Sequence, residues 1–379
     1  MATTSSLYIA VLLLLSLHPT DAQIGVCYGR NAKDLPCAED VVNLYDFHGI
    51  QAMRLYEPDQ TTLEALQGTW ITLMLGVRNE EISSIASDQS TADKWVRTNV
   101  VPYASSIKYI AVGNEIHPSD QQASSVKPAM QNLLNALNSN NLGNQIKVST
   151  VIDTSLITNS YPPSHAQFIN LTYITPIINF LATNDSPLLV NIQPYTSYIN
   201  DPKNIKLDYA LFNAQGTVFI DDKNGLKYQN LFDAIYDAIL ASIDKVVTSQ
   251  DKLLYNGKKT RSNKKKKVKV VVSESGWPSK GGFSGHSKKN NAIRSRHHDQ
   301  MRSSNAEEAA TTENAKTYYT NLIAHVKNGT PLTPGEEIET YLFAMFDEVD
   351  KPGDESERHF GVFTPDEQPK YGQLDFCYC

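Results

Sequence analysis

Short β-branched runs that are apolar on both faces, each followed by a stretch long enough for a helix, constrain this chain more than any other feature. Ile71–Val77 (ITLMLGV) and Lys269–Ser275 (KVVVSES) show no in–out alternation. That pattern belongs to strands covered by helices on one side and by a filled interior on the other. Eight strands are expected, at Ile24–Tyr28, Ala52–Tyr56, Ile71–Val77, Tyr109–Ile116, Lys147–Ile152, Leu188–Tyr195, Val268–Ser275 and Tyr341–Phe346. Between them, Ala38–His48 opens on Glu39 and Asp40 and stops before Gly49, as a helix should. Leu231, Ile235 and Ile239 recur at four-residue steps, as do Ala315, Tyr319 and Ile323, each giving one apolar helix face. Alternating strands and helices predict an α/β fold, a (β/α)8 TIM barrel forming a single catalytic domain. No phosphate-cradling Gly-rich turn follows the first strand, which removes the main reason to expect an open nucleotide-binding sheet.

The domain is expected to occupy residues 23–379, after a secretory leader over 1–22. Leu7–Leu17 is an apolar run followed by Thr20-Asp21-Ala22, too short to span a membrane. The leader implies a secreted protein, extracellular or vacuolar, with no membrane span. Four cysteines, Cys27, Cys37, Cys377 and Cys379, stand near the two ends of the domain; they are open either to a bridge between the ends or to Cys27 being a buried strand residue. Sequons occur at Asn170, Asn184 and Asn328, the last two with Pro directly after the hydroxyl residue.

The net charge of −7 argues against a nucleic-acid partner for the chain as a whole. Of the 34 Lys and Arg, 14 fall between Lys258 and Arg302, where only Glu274 and Asp299 oppose them. The runs 258–267 and 284–305 lack apolar residues to pack and read as exposed loop insertions, or as a handle for an anionic polymer. His286, His297 and His298 lie there without ordered carboxylate or Cys partners, so neither a metal nor another cofactor is expected. No heptad stands out, and a monomer is the default.

Two carboxylates carry the chemistry. Glu115 ends Tyr-Ile-Ala-Val-Gly-Asn-Glu and Glu274 ends Val-Val-Val-Ser-Glu, on the fourth and seventh expected strands. A charge appended to an apolar strand is costly unless it has a use. Barrel enzymes place their reacting groups at the C-terminal ends of strands. Two carboxyl groups there fit glycosidic hydrolysis, in which one protonates the leaving oxygen and the other attacks or activates water.

The segments IGVCYG (24–29), MRLY (53–56), KYIAVGNE (108–115), KVVVSESGWPS (269–279), ETYLFAMFDE (339–348) and ERHFGVF (357–363) resemble family 17 of the glycoside hydrolases, the plant-type β-1,3-glucan endohydrolases, in order and over nearly the whole mature chain. The resemblance implies a barrel with a long groove, a β-glucan substrate and a retaining double displacement. It implies Glu115 as acid/base, Glu274 as nucleophile, and Asn114 as a donor or acceptor to the sugar 2-hydroxyl. Glu348, Lys351 and Glu357 match a charged cluster in support of the acid, and structural ion pairing is an equal reading of them. Tyr56, Tyr195 and Trp277 are placed to line the groove. The chain departs from the family at Gln193 and Thr196, where an aromatic is common, at Cys37, in the Cys-Tyr-Cys tail and in the length of the basic insertions. A mixed-linkage β-1,3;1,4-glucanase and a catalytically weak β-glucan-binding wall protein are the alternatives, and loss of stacking surface at 193 and 196 motivates the second.

Overall fold

The computed structural model describes residues 24–254, 267–282 and 306–376. The leader, the basic runs apart from Lys267, and Cys377 and Cys379 lie outside the described residues. Eight parallel strands close a barrel in chain order: β1 (Ile24–Tyr28), β2 (Ala52–Leu55), β3 (Thr72–Val77), β4 (Ile107–Asn114), β5 (Lys147–Asp153), β6 (Leu188–Asn191), β7 (Val270–Ser275) and β8 (Thr340–Leu342). β8 returns to β1 with Ile24 opposite Thr340.

Helices fill the returns. They are α1 (Ala38–Phe47), α2 (Gln60–Ala65), α3 (Ile82–Ser87), α4 (Gln89–Asn99), α5 (Val126–Ser139), α6 (Leu171–Asn184), α7 (Pro194–Asn200), α8 (Leu207–Ala210), α9 (Leu231–Leu254) and α10 (Thr312–His325). α1 ends as its sequence dictates, with Gly49 in the left-handed region at φ 71°. The apolar faces expected on α9 and α10 turn inward, with Ile239 and Ala315 fully enclosed and Ile235 half-buried against the core. Two short antiparallel pairs, Ile157–Thr158 with Gln167–Phe168 and Phe219–Ile220 with Lys227–Tyr228, decorate the loops.

Three strands stop two or more residues earlier than their apolar runs suggest. β4 ends at Asn114 because Glu115 takes a left-handed backbone. β6 ends at Asn191 because Pro194, with no N–H and φ already helical, opens α7. Tyr195 therefore sits in a helix instead of at a strand end. β8 ends at Leu342, and Phe343–Phe346 continues outside the ladder.

Packing inside the barrel is tight around β1. A Cβ on Gly25 would stand 2.5 Å from the Tyr341 ring and 2.9 Å from the Ala52 Cβ, so only glycine fits between β8 and β2. Cys27 is wholly buried, its thiol donating to the Ser273 carbonyl at 3.3 Å, and burial pushes its pKa up to about 12. Cys27 and Cys37 are both free, and Cys37 is exposed. Among the described residues no helix is long and apolar enough to cross a membrane.

Gly25→Ala should destabilise the fold by about 1–3 kcal/mol through overpacking. Urea unfolding of the purified variant checks this: a lowered midpoint at unchanged slope supports the packing account, and an unchanged midpoint contradicts it.

Candidate active site

Glu115 and Glu274 both lie where a ladder breaks. The β4–β5 register shifts between Ala111 and Asn114, and the β7–β6 register shifts between Val272 and Glu274. Such irregularities re-aim side chains at barrel rims. Glu115 adds a left-handed backbone at φ 54°, a conformation that costs a non-glycine residue about 1–2 kcal/mol and is found at functional sites. Its own N–H is held by the Val151 carbonyl at 3.1 Å.

The two carboxylates are tied together by a buried arginine. Arg54 rises from the middle of β2 and is 2 % exposed. Its Nη1 donates to Glu274 Oε1 (2.9 Å), to the Ser273 carbonyl (2.9 Å) and to Asn191 Oδ1 (3.1 Å), while Nη2 donates to Asn114 Oδ1 (2.8 Å). A guanidinium can only donate, so it fixes which end of each amide faces it. Asn191 must then turn Nδ2 outward, and that nitrogen donates to Glu115 Oε1 at 2.7 Å and to Asn114 Oδ1 at 3.1 Å. The Ser273 hydroxyl completes Asn191 by donating to Oδ1 at 2.8 Å. Asn114 Oδ1 is consumed by Arg54 and Asn191, which leaves its Nδ2 as a donor toward the cleft.

Glu274 is 7 % exposed. Oε1 accepts from Arg54 and, at 2.6 Å, from the Tyr56 hydroxyl. Oε2 receives no hydrogen bond from the described residues, so one oxygen is anchored and the other is open. Glu115 is the opposite case. Burial, then the nearby negative charge of Glu274, raise its pKa from 4.5 to about 7, against a lowering by the Asn191 amide. One carboxyl is protonated near neutrality beside another held by an arginine, the division of labour that acid-assisted displacement needs. Arg54 itself is desolvated, but Tyr56 and Glu274 outweigh this and keep it firmly charged.

The cleft over these groups measures about 640 Å³ and a second hollow of about 430 Å³ adjoins it, the two sharing Tyr56 and Asn114. The groove therefore continues past the carboxylates on both sides. Among the described residues no group of three or more His, Cys, Asp or Glu is arranged to hold a metal ion.

Residues 24–302 and 303–376 match the family described as Glycosyl hydrolases family 17. The chain belongs to family 17 of the glycosyl hydrolases. It is 48 % identical over 97 % of its length to a glucan endo-1,3-beta-glucosidase of Vitis vinifera, covering 97 % of that protein. An acidic glucan endo-1,3-beta-glucosidase isoform (GL161) of Nicotiana tabacum is 42 % identical, over 94 % of this chain and 95 % of its own. The solved structure of a beta-1,3-glucanase and allergen from Cryptomeria japonica pollen superposes with a TM-score of 0.79 at 39 % identity, covering 94 % of this chain and all of that one. A structure from a study of two plant beta-glucan endohydrolases with distinct substrate specificities gives a TM-score of 0.77 at 37 % identity, covering 92 % of this chain and 99 % of that chain. The protein is a glycoside hydrolase on a (β/α)8 barrel.

Within that family frame, the sequence expectations for the site separate into two groups. Glu115, Glu274, Asn114 and Tyr56 meet in the groove, and the charged trio joins them at its edge. Lys351 Nζ lies 3.1 Å from Glu357 and 3.9 Å from Glu348, and sits 4.4 Å over the Phe343 ring. Burial works against its charge, but Glu357 and Glu348 raise its pKa. Glu348 is buried and accepts from Asn31 Nδ2 at 2.8 Å. Any Cβ on Gly29 would overlap the Glu348 carboxylate, which explains the second glycine of IGVCYG.

Trp277 and Tyr195 do not line the groove, contrary to the sequence expectation. Trp277 is fully buried, its indole N–H donating to the Ala309 carbonyl at 2.8 Å. The Tyr195 ring meets it edge-on at 5.3 Å, and Tyr195 is 2 % exposed. Placing Tyr195 on α7 turns its ring into the core, while Gln193, Thr196, Ser197 and Asn200 take the groove side. Sequence reasoning missed Arg54 and Asn191. The criterion that found Glu115 and Glu274, a polar group on an otherwise apolar strand, applies equally to both (AMRL, LLVN).

A carboxylate whose pKa is raised in the fold contributes fully below its unfolded value of 4.5 and costs stability as pH climbs through about 7. Glu115→Gln, which cannot ionise, should therefore be more stable than wild type at pH 8, by an amount on the order of 3 kcal/mol. At pH 4 the two should match. Thermal denaturation of both proteins at the two pH values checks this, and an equal difference at both would contradict the raised pKa.

Proposed function

We propose that the protein hydrolyses internal β-1,3-glucosidic bonds of β-glucan with retention of configuration. The observation that carries this reading is the pair Glu115 and Glu274, bridged through Arg54 and Asn191, with one carboxyl protonated near neutrality and the other anchored through a single oxygen. The β-1,3 linkage follows from the relatives' activity, and the endo mode from a groove that runs past the carboxylates on both sides.

In the first step Glu274 Oε2 attacks the anomeric carbon while Glu115 gives its proton to the departing glycosidic oxygen. This leaves a glycosyl ester on Glu274 and an ionised Glu115. Loss of negative charge at Glu274 removes a repulsion that raised the Glu115 pKa, so Glu115 stays ionised and acts as base. It takes a proton from water as the oxygen attacks the anomeric carbon and the bond to Glu274 Oε2 breaks, which regenerates the Glu115 acid and the Glu274 carboxylate. Asn114 Nδ2 donates to the sugar 2-hydroxyl, a contact that strengthens as charge builds on the ring. Glu348, Lys351 and Glu357 set the charge at the groove edge.

Secretion behind the 1–22 leader, a monomeric state and the absence of a nucleic-acid partner belong to the same proposal. The leader's apolar core, the −7 charge and the lack of a heptad pattern support them.

Purified protein should release reducing ends from laminarin, and Glu274→Ala should lower kcat by roughly a thousand-fold or more. Wild type that binds laminarin without turnover would instead make this a wall-binding protein. The kcat/KM profile should fall above a pKa of about 7. Asn191→Ala removes the hydrogen bond that favours ionised Glu115 and should move that fall to higher pH; a shift to lower pH would contradict the assignment. Gln193→Tyr should lower KM for long laminarin oligomers by restoring a stacking face, on the order of 1 kcal/mol of binding.

A further inference from the structure

The three sequons differ in what their asparagine side chains already do. Asn170 is the N-cap of α6: its Oδ1 accepts from the Tyr173 N–H at 3.0 Å. Its Nδ2 bonds nothing among the described residues. The other two asparagines sit at helix C-terminal ends with the nitrogen engaged. Asn184 Nδ2 donates to the Phe180 carbonyl at 2.8 Å, and Asn328 Nδ2 donates to the Ala324 carbonyl at 3.2 Å. Their hydroxyl partners are also enclosed. Ser186 is 4 % exposed, and Thr330 is 3 % exposed with its hydroxyl given to Asp237. Thr172, the hydroxyl residue of the first sequon, is exposed.

We propose that Asn170 carries an N-linked glycan and that Asn184 and Asn328 do not. The inference rests on the secretory reading above. In the transfer step, Asn170 Nδ2 bonds to the anomeric carbon of a lipid-pyrophosphate-linked oligosaccharide. The carbon–oxygen bond to the pyrophosphate breaks, the lipid pyrophosphate leaves, and the nitrogen gives up one proton. The linked amide keeps its carbonyl oxygen, so the N-cap of α6 survives modification unchanged. At Asn184 or Asn328 the sugar would hang on a nitrogen already bonded to a carbonyl of the preceding helical turn, and a Pro directly follows each hydroxyl residue. The neighbours of Asn170 favour occupancy in a second way. Ile169 and Leu171 are 54 % and 59 % exposed, an apolar pair that the first sugar residues would cover. Because α6 leaves the C-terminal ends of the strands, the glycan stands on the same face of the barrel as the groove.

The full chain is expressed in cultured plant cells, and exported protein is treated with an amidase that releases N-glycans in ¹⁸O-water, then mapped by peptide mass spectrometry. The expected result is labelled conversion of Asn170 to Asp in nearly all molecules and none at Asn184 or Asn328. Thr172→Ala, which leaves the capping asparagine in place, should abolish the label and leave laminarin turnover unchanged. Exported protein that is unlabelled at Asn170, or labelled at either other site, overturns the inference. Failure of export overturns the secretory reading instead. In that case the same mapping with a host leader in place of residues 1–22 decides the site: label at Asn170 sustains the assignment, and its absence there overturns it.

Discussion

The site depends on one buried guanidinium. Arg54 sits in the second strand of an apolar barrel, where a charge without partners would cost several kcal/mol. It is retained because it meets a carboxylate, two amide oxygens and a backbone carbonyl at once, leaving only Nε without a partner. Since it cannot accept a hydrogen bond, each neighbour is forced into one orientation, and the constraint passes outward from Arg54 to Asn191 and from Asn191 to Glu115. The asymmetry between the two carboxyls of the site follows from this chain. Glu274 receives a charged donor and a phenol, whereas Glu115 receives a neutral amide and otherwise buried surroundings.

The barrel supplies the rigidity that such a network needs. Parallel strands deliver Arg54, Asn114, Asn191 and Glu274 to one end of a closed sheet, from four different elements. Most departures from regular geometry gather at that end: three of the four register shifts, the left-handed Glu115, and the early exit of β6 into α7, while the fourth shift, between Leu73 and Met74 on β3, lies at the other end. The left-handed backbone of Glu115 is thus borne by a residue that uses it.

Much of the fold was legible in the sequence because strands buried on both faces lose their alternation, and six of the eight expected strands both start and end within about two residues of those observed. Strand ends were less legible. The apolar run Leu188–Tyr195 carries on past the point where Pro194 begins a helix, and apolarity alone cannot report that turn. The same turn decided the fate of Tyr195 and, through ring packing, of Trp277: one reads as a groove aromatic from its place at an expected strand end and the other from following Glu274, yet Tyr195 packs on Trp277 and Phe360, and Trp277 on Tyr195 of α7 and Tyr318 of α10. Glu115 and Glu274 were legible because charge at the end of an apolar strand is conspicuous. Arg54 was less so, because its purpose appears only when strands distant in sequence are brought together.

The proposed mechanism requires Glu274 to bond covalently to the sugar. An activated 2-deoxy-2-fluoro β-1,3-linked glucoside, whose fluorine slows opening of the ester, would trap that intermediate for peptide mapping. The account predicts one stoichiometric adduct on the peptide bearing Glu274, formed in wild type and lost in Glu274→Gln. An adduct on Glu115 or elsewhere, or turnover of the natural substrate with inverted anomeric configuration, would contradict it.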